Sequence, residues 1–172
     1  MIEFPRFNIL KDYNWNFNHV PLPVDADIPT VLGNWTYCGQ KVDSPLGIAA
    51  GPLLNGRWLL YYASLGFDIL TYKTVRCSER LSYNLPNLQP IVWPEPNKSL
   101  PKEIRASDEM KDSWAISFGM PSKPPRFWQD DVTKTKEQLG VGKFLCVSVV
   151  ATPEPHHSIE DLAADYSQCS KW

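Results

Sequence analysis

The sequence predicts an α/β fold built on parallel strands, and two observations carry that prediction. Short apolar runs at 46–50, 67–74 and 144–150 alternate with stretches of helical spacing. Such alternation makes successive strands parallel, with right-handed crossovers. The run Leu46 to Ala50 carries no charge and stops at Gly51-Pro52, as a short, fully buried parallel strand does at a bare turn. Ala49, Ala50 and Gly51 strip side chains from its carboxyl end, where ligands sit in parallel α/β folds. The alternative for this stretch is a tight βα turn with small residues for packing.

The 172 residues are enough for one domain with a real core. Lys plus Arg number 17 and Asp plus Glu 19, so no basic excess points to nucleic acid or to a membrane surface. No apolar run approaches the ~20 residues of a membrane span, and residues 1–7 lack the pattern of a signal peptide. Cys38, Cys77, Cys146 and Cys169 are far apart and form no C-x-x-C, which argues against a zinc site and for thiols in the reducing cytoplasm. Sixteen prolines, set beside plentiful aromatics, predict elaborate ordered loops.

Residues 1–33 have no sustained period and are expected to form an irregular N-terminal arm. Trp35, Tyr37 and Val42 form the apolar faces of a short hairpin turning at Cys38-Gly39 or Gly39-Gln40. After Gly51-Pro52, Asn55 is the expected cap of a helix carrying Trp58, Tyr61, Tyr62 and Leu65, and Gly66 is its stop. Residues 67–74 form the second strand, with Ile69, Thr71 and Lys73 on one face. Lys73 thus ends a strand bound for the core, where a lysine is costly without a partner; the alternative is that it snorkels to solvent. Residues 75–104 read as a long Pro-rich connection, and 105–115 as polar with a possible helical turn. Ser122 is the expected cap of a helix whose first turn takes Pro124 and Pro125 and whose buried stripe is Trp128, Val132, Thr135 and Leu139. Phe144–Val150 is the third strand. Ser158 caps a last helix with Ile159, Leu162, Ala163, Tyr166 and Cys169 at helical spacing.

Four of these stretches resemble the dihydroorotate dehydrogenase family and its dihydropyrimidine dehydrogenase relatives, which are FMN-dependent (β/α)8 barrels. Ser44-Pro-Leu-Gly-Ile-Ala-Ala-Gly-Pro52 resembles the family's N-P-[LIV]-G-[IL]-A-[AS]-G strand, and Thr71-Tyr-Lys-Thr74 its T-x-K-[ST] strand. Ser117-Phe-Gly-Met-Pro-Ser122 resembles its N-x-[MF]-G-[LM]-[PN] loop, and residues 144–151 its third strand. The resemblance implies that residues 34–172 are the N-terminal part of such a barrel, about three βα units preceded by a hairpin. A complete barrel has eight units in about 250 residues.

For individual residues it implies the following. Ala49, Ala50 and Gly51 would line FMN. Lys73 would bond the flavin and reach the substrate, its charge easing hydride acceptance by the ring. Thr74 would contact the cofactor. Ser117, Phe118, Gly119 and Met120 would meet the substrate, their backbone presenting N–H donors to its carboxylate or carbonyl edge. Ser148 would approach the flavin, or else is a small polar group satisfied within the barrel. Ile116 stands where the family has an asparagine that grips the substrate. The family's general-base loop has no counterpart in this sequence. His156 and His157 are the histidines that could act as a base, and beside prolines in a loop they read as solvated.

The activity implied is hydride transfer from a dihydropyrimidine-like small molecule to FMN, with a chain of this length expected to be truncated and inactive alone. A second expectation is a non-enzymatic partial-barrel module. Its open strand edges would be covered by self-association or by a second chain. An open flavodoxin-like sheet fits less well, because neither G-x-G-x-x-G nor a P-loop is present.

Overall fold

The strand and helix periods read from the sequence are realised in a computed structural model, which describes residues 7–25, 27–93, 102–109, 111 and 113–172. Helix α1 (Tyr13–Asn18) lies inside the stretch expected to be an irregular arm. Six residues are too few for a helix to stand alone. Here the Asp12 side chain caps it by accepting from the Trp15 N–H, and Tyr13 and Phe17 are buried against Leu54, Trp58 and Tyr61. The buried Asn16 amide donates to the carbonyls of Asn8, Lys11 and Asp12, which ties down the chain before the helix.

The hairpin is β1 (Trp35–Tyr37) and β2 (Gln40–Val42), turning at Cys38-Gly39 with φ of 49° and 75°. Two successive positive φ values match the right-handed twist of the strands they join. The parallel sheet has the order β3-β4-β7, with β3 at Gly47–Ile48, β4 at Ile69–Val75 and β7 at Phe144–Val149. This order fits part of a β/α barrel. The three strands form no closed barrel among the described residues. β3 corrects one expectation, because it is two residues long and not fully buried; Leu46 is 48% exposed. Among the described residues β3 pairs with β4 alone, so one of its edges has no neighbouring strand.

Helices α2 (Gly56–Ala63), α3 (Pro125–Gln138) and α4 (Ile159–Lys171) follow the strands. Asn55 caps α2, and Ser158 caps α4 in a reciprocal capping box with Asp161, both as the sequence indicates. Ser122 does not cap α3; Pro124 holds that position without a side-chain bond. The Ser122 hydroxyl instead accepts from the Arg76 N–H and donates to the Lys123 carbonyl, stitching the end of β4 to the chain entering α3. The main core gathers Leu53, Leu59, Leu70, Val75, Trp128 and Cys169 between sheet and helices. The sequence did not reveal one strand pair: β5 (Leu88–Ile91), inside the long connection, runs antiparallel to β6 (Ser113–Ile116), which ends the stretch read as polar with a possible helical turn, and the described residues of 105–115 hold no helix. The four cysteines are free thiols.

Candidate functional site

β4 brings the site's charge to its carboxyl end. Its register against β7 shifts between Tyr72 and Val75, so Lys73 and Thr74 leave the regular ladder. A bulge of this kind re-aims side chains at the end of a strand. The Lys73 N–H donates instead to the Leu53 carbonyl, which draws β4 to the chain just beyond the Gly51 turn. The Lys73 side chain is 7% exposed. Its ammonium donates to the Pro121 carbonyl at 2.8 Å and lies 5.5 Å from the centroid of the Tyr13 ring. Burial, helped by the nearby Arg76 charge, lowers its pKa to about 8.

The loop after β6 is held by its carbonyls. Asn87 accepts from the Ser117 N–H through its own carbonyl, and its side-chain amide donates to the carbonyls of Ser117 and Tyr83. The Phe118 carbonyl takes the Tyr83 N–H and the Ser82 hydroxyl, the Met120 carbonyl takes Arg76 Nε, and the Pro121 carbonyl takes Lys73. The N–H groups of Phe118, Gly119 and Met120 make no hydrogen bond among the described residues. A loop with bound carbonyls and free N–H groups is disposed toward an electron-rich ligand. Gly119 (φ +75°) suits this turn, where a Cβ would be strained and would lie 2.9 Å from the Tyr83 ring. Met120 adopts φ 46°, a strained setting for a methionine.

These parts enclose a cleft of about 700 Å³. It brings together Ala50, Gly51, Lys73, Thr74, Ser117, Phe118, Gly119 and Met120, eight of the ten residues singled out from the sequence. Ala49 is exposed and lies outside its walls. Ser148 is also outside, half-buried, with its hydroxyl 3.0 Å from that of Thr74. His156 is exposed, and His157 accepts from the Glu154 N–H within its own loop. A Cβ on Gly51 (φ +149°) would meet nothing within 4 Å, so the space above this bare backbone is open.

Residues that sequence reasoning missed complete the site. Phe7, Leu54, Tyr83 and Leu88 line the cleft, together with Ile116, the position the sequence marks as departing from the family's asparagine. Arg76, 2% exposed, spans behind it, giving Nε to the Met120 carbonyl and Nη1 to Ala151 and Thr152. Burial, then the charge of Arg80, lowers its pKa. The signal for Arg76 was present, since a charged residue ending a core strand is what singled out Lys73. The Tyr83 signal was not, because the ring reaches the cleft through a non-local loop contact.

An open bare backbone, one buried cation and a row of free N–H donors suit a flat, electron-rich ring. FMN, the cofactor the motifs imply, meets those requirements at Ala50, Gly51, Lys73 and Thr74. Among the described residues, no helix is long and apolar enough to cross a membrane. No family model matches the chain. It is similar to a dihydroorotate dehydrogenase of Dictyostelium discoideum, 34% identical over 131 residues that make up 70% of this chain and 35% of that protein. The chain therefore spans about a third of the length of this curated relative. Over the stretch they share, the sequence is that of a dihydroorotate dehydrogenase-like protein.

Proposed function

We propose that this chain carries the flavin-facing and substrate-facing walls of an FMN-dependent oxidoreductase of the dihydroorotate dehydrogenase type. A bound FMN supplies the hydride acceptor. Ala50 and Gly51 lie along the ring, Thr74 bonds it with Ser148 behind, and Lys73 holds positive charge against its electron-rich edge. The substrate is dihydropyrimidine-like, and its carboxylate or carbonyl edge meets the Ser117–Met120 loop. The observation that carries this reading is Lys73, a buried cation on the cleft wall whose side chain bonds, among the described residues, to one backbone carbonyl. It has charge to spare for an anionic partner.

The test is titration of FMN into the protein, followed by flavin fluorescence and by the absorbance band at about 450 nm. Saturable binding that weakens by about tenfold or more in Lys73→Ala supports the reading, in line with the loss of a charge-assisted bond. Equal binding by both proteins counts against it. Residues 1–172 by themselves are expected not to turn over dihydroorotate even with FMN. The titratable side chains on the cleft wall are Lys73, engaged by Pro121, and Tyr83, whose hydroxyl accepts from Arg80 Nη2. Neither is placed as a free base.

A second reading, an assembly module, has its own support. Among the described residues β3 and β7 each pair on one side only, and Leu46 and Val147 are exposed on them or beside them. Unpaired strand edges beside apolar side chains favour contact with another chain.

A further inference from the structure

We infer that Tyr13 of helix α1 is a positioning residue for Lys73, its ring face keeping the buried ammonium charged at the cleft wall. The inference rests on the proposed reading only in giving that charge an anionic ligand to meet. The Lys73 ammonium lies over the Tyr13 ring, 5.5 Å from its centroid, and Tyr13 is 4% exposed. An aromatic face attracts a cation within about 6 Å, and the attraction grows when both are withdrawn from water. Among the described residues the Lys73 side chain makes one hydrogen bond, to the Pro121 carbonyl, and no ion pair.

The other groups around Lys73 do not supply that support. Arg76 from the end of β4 and Lys123 from the chain entering α3 are cations and oppose its charge. Asp131 is spent on the Tyr72 hydroxyl and the Gly56 N–H. Tyr83, also on the cleft wall, accepts from Arg80 through its hydroxyl. Helix α1 repeats the pattern four residues on, where the Lys123 ammonium lies 5.0 Å from the centroid of the Phe17 ring and donates to Asn14 Oδ1 at 3.0 Å. Residues four apart share one face of a helix. So short a helix thus offers two rings to two cations on one face, which is more than packing requires. An aliphatic side chain would fill the same space and leave the buried charge without a partner there.

Carbon-13 NMR of lysine-labelled protein, with the Lys73 signal assigned by Lys73→Met, tests this by following Lys73 from pH 6 to 11 in the ligand-free chain. Three rings at position 13 are compared: tyrosine, phenylalanine through Tyr13→Phe, and trifluorophenylalanine placed there by nonsense suppression. Fluorine withdraws electron density from the ring face and leaves its shape nearly unchanged, so packing is kept while the attraction for a cation is lost. Tyr13→Phe is expected to keep the wild-type midpoint, and the fluorinated ring to lower it by about one pH unit. A ring that serves packing alone leaves the midpoint where it is, and a packing defect that admits water raises it. An unchanged or raised midpoint with the fluorinated ring, or an equal fall with Tyr13→Phe, would overturn the inference. Circular dichroism checks that the three proteins share one fold. Because no ligand takes part, failure of FMN to bind removes the flavin reading and leaves this one standing.

Discussion

Lys73 links the chemistry of single residues to the stability of the chain. Its folded pKa of about 8 lies below the ordinary 10.5 because burial disfavours the charged form. Below pH 8 the ammonium is charged in both folded and unfolded chains, and the cost of burying it is fully present. Between about pH 8 and 10.5 the folded protein has released the proton while the unfolded chain still holds it. The unfolded state then binds more protons, so stability contributed by this group rises with pH across that window, by ~3 kcal/mol at its upper end. Lys73→Met removes the term. The expected result is a wild-type urea midpoint that gains on the Lys73→Met midpoint from pH 7.5 to 10; parallel pH profiles would show that the charge is better solvated than its 7% exposure indicates. An anion bound beside Lys73 raises its pKa again, so ligand binding near pH 9 takes up protons. A residue well suited to hold a cofactor's charge is in this way one that the empty fold bears at a cost.

At the scale of elements, the close approach of α2 to α3 shows how firmly local sequence is constrained. Asp131 on α3 accepts from the Gly56 N–H and from the Tyr72 hydroxyl, both at 2.7 Å, and so joins the start of α2 to β4. A Cβ on Gly56 would fall 1.8 Å from the Thr135 hydroxyl, inside a buried contact. Gly56→Ala therefore forces the helices apart, despite alanine's better helix propensity, and is expected to destabilise the fold by ~2–3 kcal/mol in urea unfolding. A midpoint unchanged or raised would mean that α3 gives way freely. The helices and strands built on a strong local period were legible in the sequence. So were the caps Asn55 and Ser158, because cap and period agree there. β5 and β6 were not, because Pro90 breaks the alternation of β5 and the partner strand lies beyond a long polar stretch. Helix α1 is too short to show a period, although Asp12 is a cap signal. Ser122 was misread because a serine three residues before a helix is as able to bond a neighbouring strand as to cap.

At the scale of the whole molecule, the cleft was legible in outline because its polar parts sit at strand ends, while its apolar wall was not. Phe7, Tyr83 and Leu88 come from the N-terminal stretch, the long connection and β5, and only folding brings them into one cleft with Lys73. The same non-local logic governs the sheet's edges. Among the described residues β7 pairs with β4 alone, and Val147 is 36% exposed within it. Backbone groups on such an edge gain from pairing with a second strand, and exposed apolar side chains add area to the contact. We therefore expect the chain to self-associate as its concentration rises, with light scattering giving masses above the monomer at tens of micromolar, about the range of a weak interface. Val147→Lys puts a charge where an incoming strand would pack, and lysine on edge strands opposes such pairing. It should return the protein to monomer without changing ligand binding in the cleft, because Val147 is not among the cleft's lining residues. A wild-type chain that stays monomeric at every concentration would remove the assembly reading. Association that survives Val147→Lys would move the contact away from β7, leaving the edge at β3 and the exposed Leu46 beside it as the surface that pairs.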